Sequence, residues 1–286
     1  MSIEIKDLTY IYNKNGPYEK TALDNISLTV ADGEFVGIIG HTGSGKSTLI
    51  QHFNGIMKPT AGTVLVDGED IFKKGVSLKN IRKKVGLVFQ YPEYQLFEET
   101  VYKDVAYGLK NYGVPQGKHG ELVKNAIKSV GLSEDVLDKS PFELSGGQKR
   151  RVAIAGVIVM QPKILVLDEP AAGLDPFGRQ QILEEIKRLH DEQNITVILV
   201  SHSMEDIALY ADRIVVLDKG RIYMDGSPAK VFSNQDKLLD AGLDIPEILK
   251  ILNELKNRGF CIPDDIFSVK DAAMAIYKSL KEGKNA

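Results

Sequence analysis

The sequence predicts an α/β fold built on a parallel sheet, and three observations carry that prediction. Short, nearly all-apolar runs, EFVGII at 34–39, ILVL at 164–167 and TVILV at 196–200, have the length of strands covered on both faces. Stretches of helical period separate them. A glycine-rich turn, GHTGSGKS, directly follows the first run and opens a helix.

Taken in chain order, Ile3, Ile5 and Leu8 to Tyr12 alternate loosely, and Ile26, Leu28 and Val30 alternate cleanly, as half-buried antiparallel strands do. The chain therefore opens with an antiparallel β layer. The strand at 34–39 leads into a helix over Lys46 to Asn54, and VGLVFQ at 85–90 is a further strand ending at Gln90. From about Tyr91 to Met160 no strand pattern is visible; Val101 to Lys110, Glu121 to Val130 and Gln148 to Met160 read as helices, so this stretch is a helical insertion. A helix over Gly178 to Gln193 places Ile182, Ile186 and Leu189 on one face. Two apolar runs split by Asp218, Lys219 and Gly220 form a hairpin. Beyond Lys237, Leu238, Leu239, Ile248, Leu249, Ile251, Leu252 and Leu255 recur at helical spacing, broken by Pro246 and Pro263. The expected organisation is an α/β domain over 1–235, with its helical subdomain at about 91–160, and a helical extension over 236–286.

Composition narrows the function. Apolar residues make up 43% and charged residues 26% of the 286, the usage of an ordinary globular protein, which excludes a disordered chain. With 36 basic against 39 acidic residues no global field draws the chain to nucleic acid or anionic lipid. The single cysteine, Cys261, rules out an internal disulfide framework, suits a reducing cytoplasm and is expected in the core. The opening MSIEIKDLTY lacks the basic end and apolar run of a signal peptide. The longest apolar stretch, Val152 to Met160, falls far short of the roughly 20 residues that span a bilayer, so a membrane role requires a partner.

Chemistry concentrates at three places. In GHTGSGKS, Gly43 and Gly45 let successive backbone amides face an anion at a helix N-terminus; Lys46 reaches the terminal phosphates and Ser47 is a Mg²⁺ ligand. A glycine-rich turn that binds nothing would not need the strand, lysine and serine in register. ILVLDE ends a buried strand in two carboxylates, Asp168 for the metal and Glu169 to polarise a water as general base, at the sheet end where ligands bind. LSGGQ at 144–148 makes a second anion site at a helix start, with plain helix capping by Ser145 as the alternative. Because the first cradle is already complete, a second one points to use across a dimer.

These motifs, in this order, resemble those of an ATP-binding cassette (ABC) ATPase, the nucleotide-binding subunit of ABC transporters, over about residues 1–233. GHTGSGKS matches the Walker A motif, Gln90 the Q-loop, LSGGQ the signature, ILVLDE the Walker B motif, AGLD ending at Asp175 the D-loop, and His202 the switch histidine. The resemblance implies that Gly40, His41, Thr42, Gly43, Ser44, Gly45, Lys46, Ser47 and Thr48 wrap the phosphates of ATP. It further implies that Mg²⁺ is held by Ser47, Asp168 and Gln90, and that Glu169, His202 and Gln90 serve hydrolysis. Ser145, Gly146, Gly147 and Gln148, with Asp175, then complete the site of a second ATPase subunit packed head to tail. Tyr12 falls where such ATPases stack an aromatic on adenine; Tyr10, Tyr18 and plain core packing are the alternatives.

FQYPEYQLFEETVYKDVAYGLKN, 89–111, is similar to the stretch after the Q-loop in the ATPases of energy-coupling factor transporters, which import vitamins and transition-metal ions. In that family this region receives a transmembrane scaffold protein, which here implies docking near Gln90 to Phe97, with Tyr91, Pro92, Tyr94, Leu96 and Phe97 as an exposed apolar surface. A membrane substrate-binding component is then an indirect partner, the location is the cytoplasmic face of the cell membrane, and nucleic acid is no partner. The C-terminal helices resemble the extension that holds such ATPases together as dimers, with packing against their own domain as the alternative. Thr42, QKRRVAIAG and EPAAGLD resemble the second of two ATPase paralogues; a homodimer, as in cobalt or nickel systems, stays open. The competing readings are a conventional ABC importer, a chromosome-maintenance ATPase, which would carry a long heptad insertion, and a translation factor, which would carry two cassettes.

Overall fold

The structure, a computed structural model, describes residues 2–282; residue 1 and residues 283–286, the ends of the expected domain and extension, lie outside the described residues. In chain order the elements are β1 (Ile3–Tyr12), β2 (Lys20–Val30), β3 (Phe35–Ile39), α1 (Lys46–Phe53), β4 (Ala61–Val66), β5 (Glu69–Asp70), α2 (Leu78–Lys84) and β6 (Val85–Val88). The helical insertion follows as α3 (Val101–Asn111), α4 (His119–Ser129) and α5 (Gly146–Ile158). Then come β7 (Ile164–Asp168), α6 (Pro176–Gln193), β8 (Thr196–Val200), α7 (Met204–Tyr210), β9 (Arg213–Asp218), β10 (Arg221–Gly226), α8 (Pro228–Phe232), α9 (Gln235–Asp240), α10 (Glu247–Asn257) and α11 (Val269–Glu282).

Two sheets carry the fold. Alternation pairs β1 with β2 antiparallel, Ile3 opposite Val30 and Ile5 opposite Leu28, so that their apolar side chains share one buried face. The β4–β5 hairpin extends this sheet to the order β2-β1-β4-β5. The second sheet runs β10-β9-β3-β8-β7-β6; its strands are parallel from β9 to β6, with β10 antiparallel at the edge. Every residue of β3, β7 and β8 is buried, as the continuous apolar runs predict.

The period of two in these strands divides the core between the sheet's faces. Phe35, Ile39, Leu165, Leu167, Val197 and Leu199 point toward the helices, while Val36, Ile38, Ile164, Val166, Ile198 and Val200 point toward the antiparallel sheet. Leu49, Ile50 and Phe53 of α1 fill the second layer, which fixes α1 between the two sheets with its N-terminus at the end of β3. Each such buried side chain contributes roughly 1.5–3 kcal/mol. In β3 a Cβ at Gly37 would stand 2.8 Å from Ile207 Cγ2; the missing side chain is what lets α7 lie against the strand.

The C-terminal helices dock through Leu249 on the main core and form a small core of their own from Leu252, Ile262 and Ala272. Cys261 corrects the sequence expectation: it is exposed, because the neighbouring Ile262 takes the buried position in that connection. Ile251, Met274, Tyr277 and Leu280 leave apolar surface on the outside of these helices. Among the described residues no helix is long and apolar enough to cross a membrane.

Candidate functional site

The site begins where β3 gives way to α1. Gly45, at φ +109°, is the residue before the helix, and a Cβ there would stand 2.8 Å from the Ala22 carbonyl oxygen, so only glycine lets the loop pass β2. Gly40 is packed as closely, with Ser44 Oγ 2.5 Å from the position of a Cβ. The loop is further tied down by the Gly220 amide donating to the Ser44 carbonyl at 3.0 Å, and by His41 Nε2, 3.0 Å from Asp218 Oδ1. The first-turn amides of α1, which have no partner within the helix, are the donors this loop offers an anion.

Lys46 opens α1 and is buried, with Nζ donating to the carbonyls of Gly40 at 2.5 Å and His41 at 3.1 Å. Burial depresses its pKa, and the nearby carboxylates of Glu169 and Asp168 pull the other way. Asp168, the last residue of β7, is buried, and burial pushes its carboxyl above the ordinary range against the lowering effect of the Ser47 hydroxyl. Glu169 leaves the strand in the left-handed region at φ 50°, a conformation that costs a non-glycine residue roughly 1–2 kcal/mol. Its amide still donates to the Val200 carbonyl at 3.0 Å. Both its carboxylate oxygens are held: Gln90 Nε2 donates to Oε2 at 3.1 Å, and His202 Nε2 lies 2.6 Å from Oε1. Three segments distant in sequence, the ends of β6, β7 and β8, thus orient one carboxylate.

A cavity of about 380 Å³ opens over this arrangement, lined by Tyr12, Thr42, Gly43, Gly45, Lys46, Ser47, Thr48, Gln90, Glu169 and His202, all singled out in the sequence, together with Lys20 and Ala22. Tyr12 is half-buried, its hydroxyl 3.1 Å from Thr48 Oγ1 and its ring edge-on to Tyr10 at 4.9 Å. Of the three candidate tyrosines Tyr12 alone lines the cavity: Tyr10 packs partly against the core and Tyr18 is 81% exposed. Gly40, His41 and Ser44 form the back of the loop, away from the cavity surface. Lys20 and Ala22 were not legible, since nothing in the sequence of β2 marks the part of it that passes the loop.

The structure does not bring the signature residues to this cavity. Ser145 caps α5: its Oγ accepts from the Gln148 amide at 3.3 Å, and Gln148 Oε1 accepts from the Ser145 amide at 3.0 Å. Gly146 and Gly147 face open space. Asp175 caps α6, accepting from the Gly178 amide at 2.8 Å. The exposed apolar stretch also needs correction: Tyr91, Tyr94 and Phe97 are exposed, but Pro92 is buried and Leu96 half-buried against the core, where they anchor the segment.

Residues 23–172 match the family model described as ABC transporter. The chain is 55% identical over 99% of its length to the energy-coupling factor transporter ATP-binding protein EcfA2 of Acetivibrio thermocellus, and 53% identical over its full length to that of Caldanaerobacter subterraneus, covering each relative completely. The chain belongs to the energy-coupling factor branch of the ABC transporter ATPases. It binds and hydrolyses ATP. Among solved structures this ATPase is similar to cbiO1 of Clostridium perfringens, described as part of the ABC transporter complex cbiONQ, with 39% identity, a TM-score of 0.75, and coverage of 88% of this chain and 98% of that one. It is also similar to the cassette MJ0796, solved as a dimer bound to ADP and Pi, at 30% identity and a TM-score of 0.71 over 79% of this chain and 98% of that one.

Proposed function

We propose that the chain is one of two ATPase subunits at the cytoplasmic face of an energy-coupling factor importer for vitamins or transition-metal ions. The single observation that carries the two-subunit reading is the separation of Ser145, Gly146 and Gly147 from the cavity that holds Lys46 and Glu169. A cradle with Lys46 and an oriented carboxylate lacks only a cover over the triphosphate, and the capped, unobstructed start of α5 is such a cover when offered by a second subunit in a closed two-fold arrangement. In this reading Tyr12 stacks on adenine, the loop 40–48 wraps the phosphates, Glu169 takes a proton from the attacking water, His202 and Gln90 hold Glu169, His202 touches the terminal phosphate, and Gln90 reaches the water or the metal. Product release lets the dimer reopen.

Ser47 and Asp168 fit a hard divalent cation by the chemistry of their donors: Ser47 offers a hydroxyl oxygen in the first turn of α1 on the cavity wall, and Asp168 offers a buried carboxylate at the end of β7. No three His, Cys, Asp or Glu gather as a ligand set among the described residues, which suits Mg²⁺, an ion that keeps waters and takes substrate phosphates. When bound there, Mg²⁺ neutralises charge on the phosphates. Gln90 is bonded to Glu169 instead, so its place in the ion's shell depends on rearrangement.

Docking of the transmembrane scaffold is supported by exposed Tyr91, Tyr94 and Phe97, by Phe97 packed edge-on to Tyr107 at 4.9 Å, and by a neighbouring groove of about 540 Å³ lined by Tyr102, Tyr107 and Lys110. The substrate-binding membrane component joins through that scaffold. The domain division is 1–235 and 236–286, and the apolar outer face of α10 and α11 is the dimer contact of the extension. Charged replacements at Tyr94 and Phe97 test the reading. They are expected to abolish recovery of the chain with membrane proteins while leaving ATP binding intact; full recovery of the complex would remove the docking role, and identification of the recovered chains names the second ATPase.

A further inference from the structure

Arg150, on α5 five residues beyond Ser145, is only 2% exposed. Each of its three guanidinium nitrogens has a partner. Nε donates to Glu93 Oε2 at 2.9 Å and Nη2 to Glu93 Oε1 at 2.5 Å, while Nη1 donates to the carbonyls of Pro170, at 3.3 Å, and Ala172. The Tyr91 ring centroid lies 5.7 Å from the guanidinium carbon, and a Cβ on Gly173 would lie 3.7 Å from Tyr91 Cε1. One cation therefore joins three segments: the helix behind the signature residues, the 91–93 segment below the exposed Tyr94 and Phe97, and the loop that follows Glu169. The Ala172 amide donates to the Glu169 carbonyl at 3.1 Å, so the loop gripped by Arg150 is bonded to the residue held in the left-handed region. A second side-chain link, Gln90 to Glu169, is exposed.

We propose that Arg150 is a positioning residue for hydrolysis: paired with Glu93, it fixes the 170–172 loop and so the aim of Glu169, and it ties that aim to the segment carrying the docking surface. The proposal rests on the reading of Glu169 as general base. A buried ion pair is weak evidence for a role in stability alone, since apolar replacements are often as stable. What an apolar contact cannot supply is a planar fork that addresses a carboxylate and two carbonyls at once, and lysine cannot supply it either.

The test measures ATP turnover and ATP binding for Arg150→Lys and Glu93→Gln in the complex isolated from membranes, each also combined with Glu169→Gln. Arg150→Lys is expected to lower kcat about tenfold, as a misaimed group does, with KM and ATP affinity within about twofold of wild type, because Arg150 touches no residue of the cradle. Glu93→Gln, which keeps an acceptor and so preserves folding, is expected to lower kcat in the same direction by a smaller factor. On the Glu169→Gln background neither change slows the residual rate further, since the positioned group is gone. A purely structural role would lower the melting temperature and leave kcat per folded site unchanged; that result, or a tenfold loss repeated in the absence of Glu169, overturns the proposal. Wild-type turnover in Glu169→Gln alone would instead remove the general-base reading.

Discussion

Replacement of Lys46 by alanine tests the phosphate cradle with a magnitude set by the structure. Lys46 is 6% exposed, and its ammonium donates to the carbonyls of Gly40 and His41, which offsets part of the cost of burying the charge. A bound phosphate adds a charge-assisted hydrogen bond, worth about 1.5–3 kcal/mol. At 1.36 kcal/mol per factor of ten, losing it weakens ATP binding by roughly ten- to 150-fold. The lower end is expected, because Nζ must loosen its 2.5 Å bond to Gly40 to face the phosphate. Titration calorimetry with ATP and Mg²⁺ on a Glu169→Gln background measures this without turnover. Lys46→Met retains most of the buried stem and removes the charge, so it should weaken binding as much as Lys46→Ala. Unchanged affinity in both variants would refute the cradle as drawn, and loss in Lys46→Ala alone would assign the effect to packing.

Two further outcomes follow from the site. Glu169→Gln should retain ATP binding and lose on the order of 10²-fold or more in turnover, as removal of a general base does; near-normal hydrolysis in a phosphate-release assay would remove that role. Glu93 links the site to pH: burial raises its carboxyl, but the Arg150 pairing outweighs this and holds it below the ordinary value. A depressed folded value means the stabilisation is complete above the unfolded pKa, about 4.3, and is lost as pH falls through the folded one. Melting temperature should therefore fall less steeply on acidification below about pH 4.3 in Glu93→Gln than in the wild type; identical slopes would contradict the pairing.

The parts of this molecule legible in the sequence are those in which chemistry or sterics leaves few choices. Buried parallel strands need continuous apolar runs, which is why β3, β7 and β8 were evident, and a loop at φ +109° against the backbone of β2 needs Gly45. The β4–β5 hairpin carries only a turn signal, Asp67-Gly68, because β5 is two residues long and shows no period. Arg150 was illegible for another reason: its partners lie 57, 20 and 22 residues away, and an arginine on a helix reads as a solvated charge until the fold brings Glu93, Pro170 and Ala172 to it. Cys261 and Ile262 are adjacent residues of types often found in cores, and the packing of α10 on α11 takes Ile262 inward and leaves Cys261 exposed.

The claim that the ATP site is shared by two subunits meets its most direct test in Ser145→Arg. Ser145 contributes nothing to its own chain's cavity and serves there as a helix cap worth about 1 kcal/mol. The isolated variant should bind ATP with unchanged affinity, while turnover of the complex purified from membranes falls by at least about half, one of two composite sites being lost. Turnover equal to wild type in that complex would show that each chain hydrolyses ATP alone.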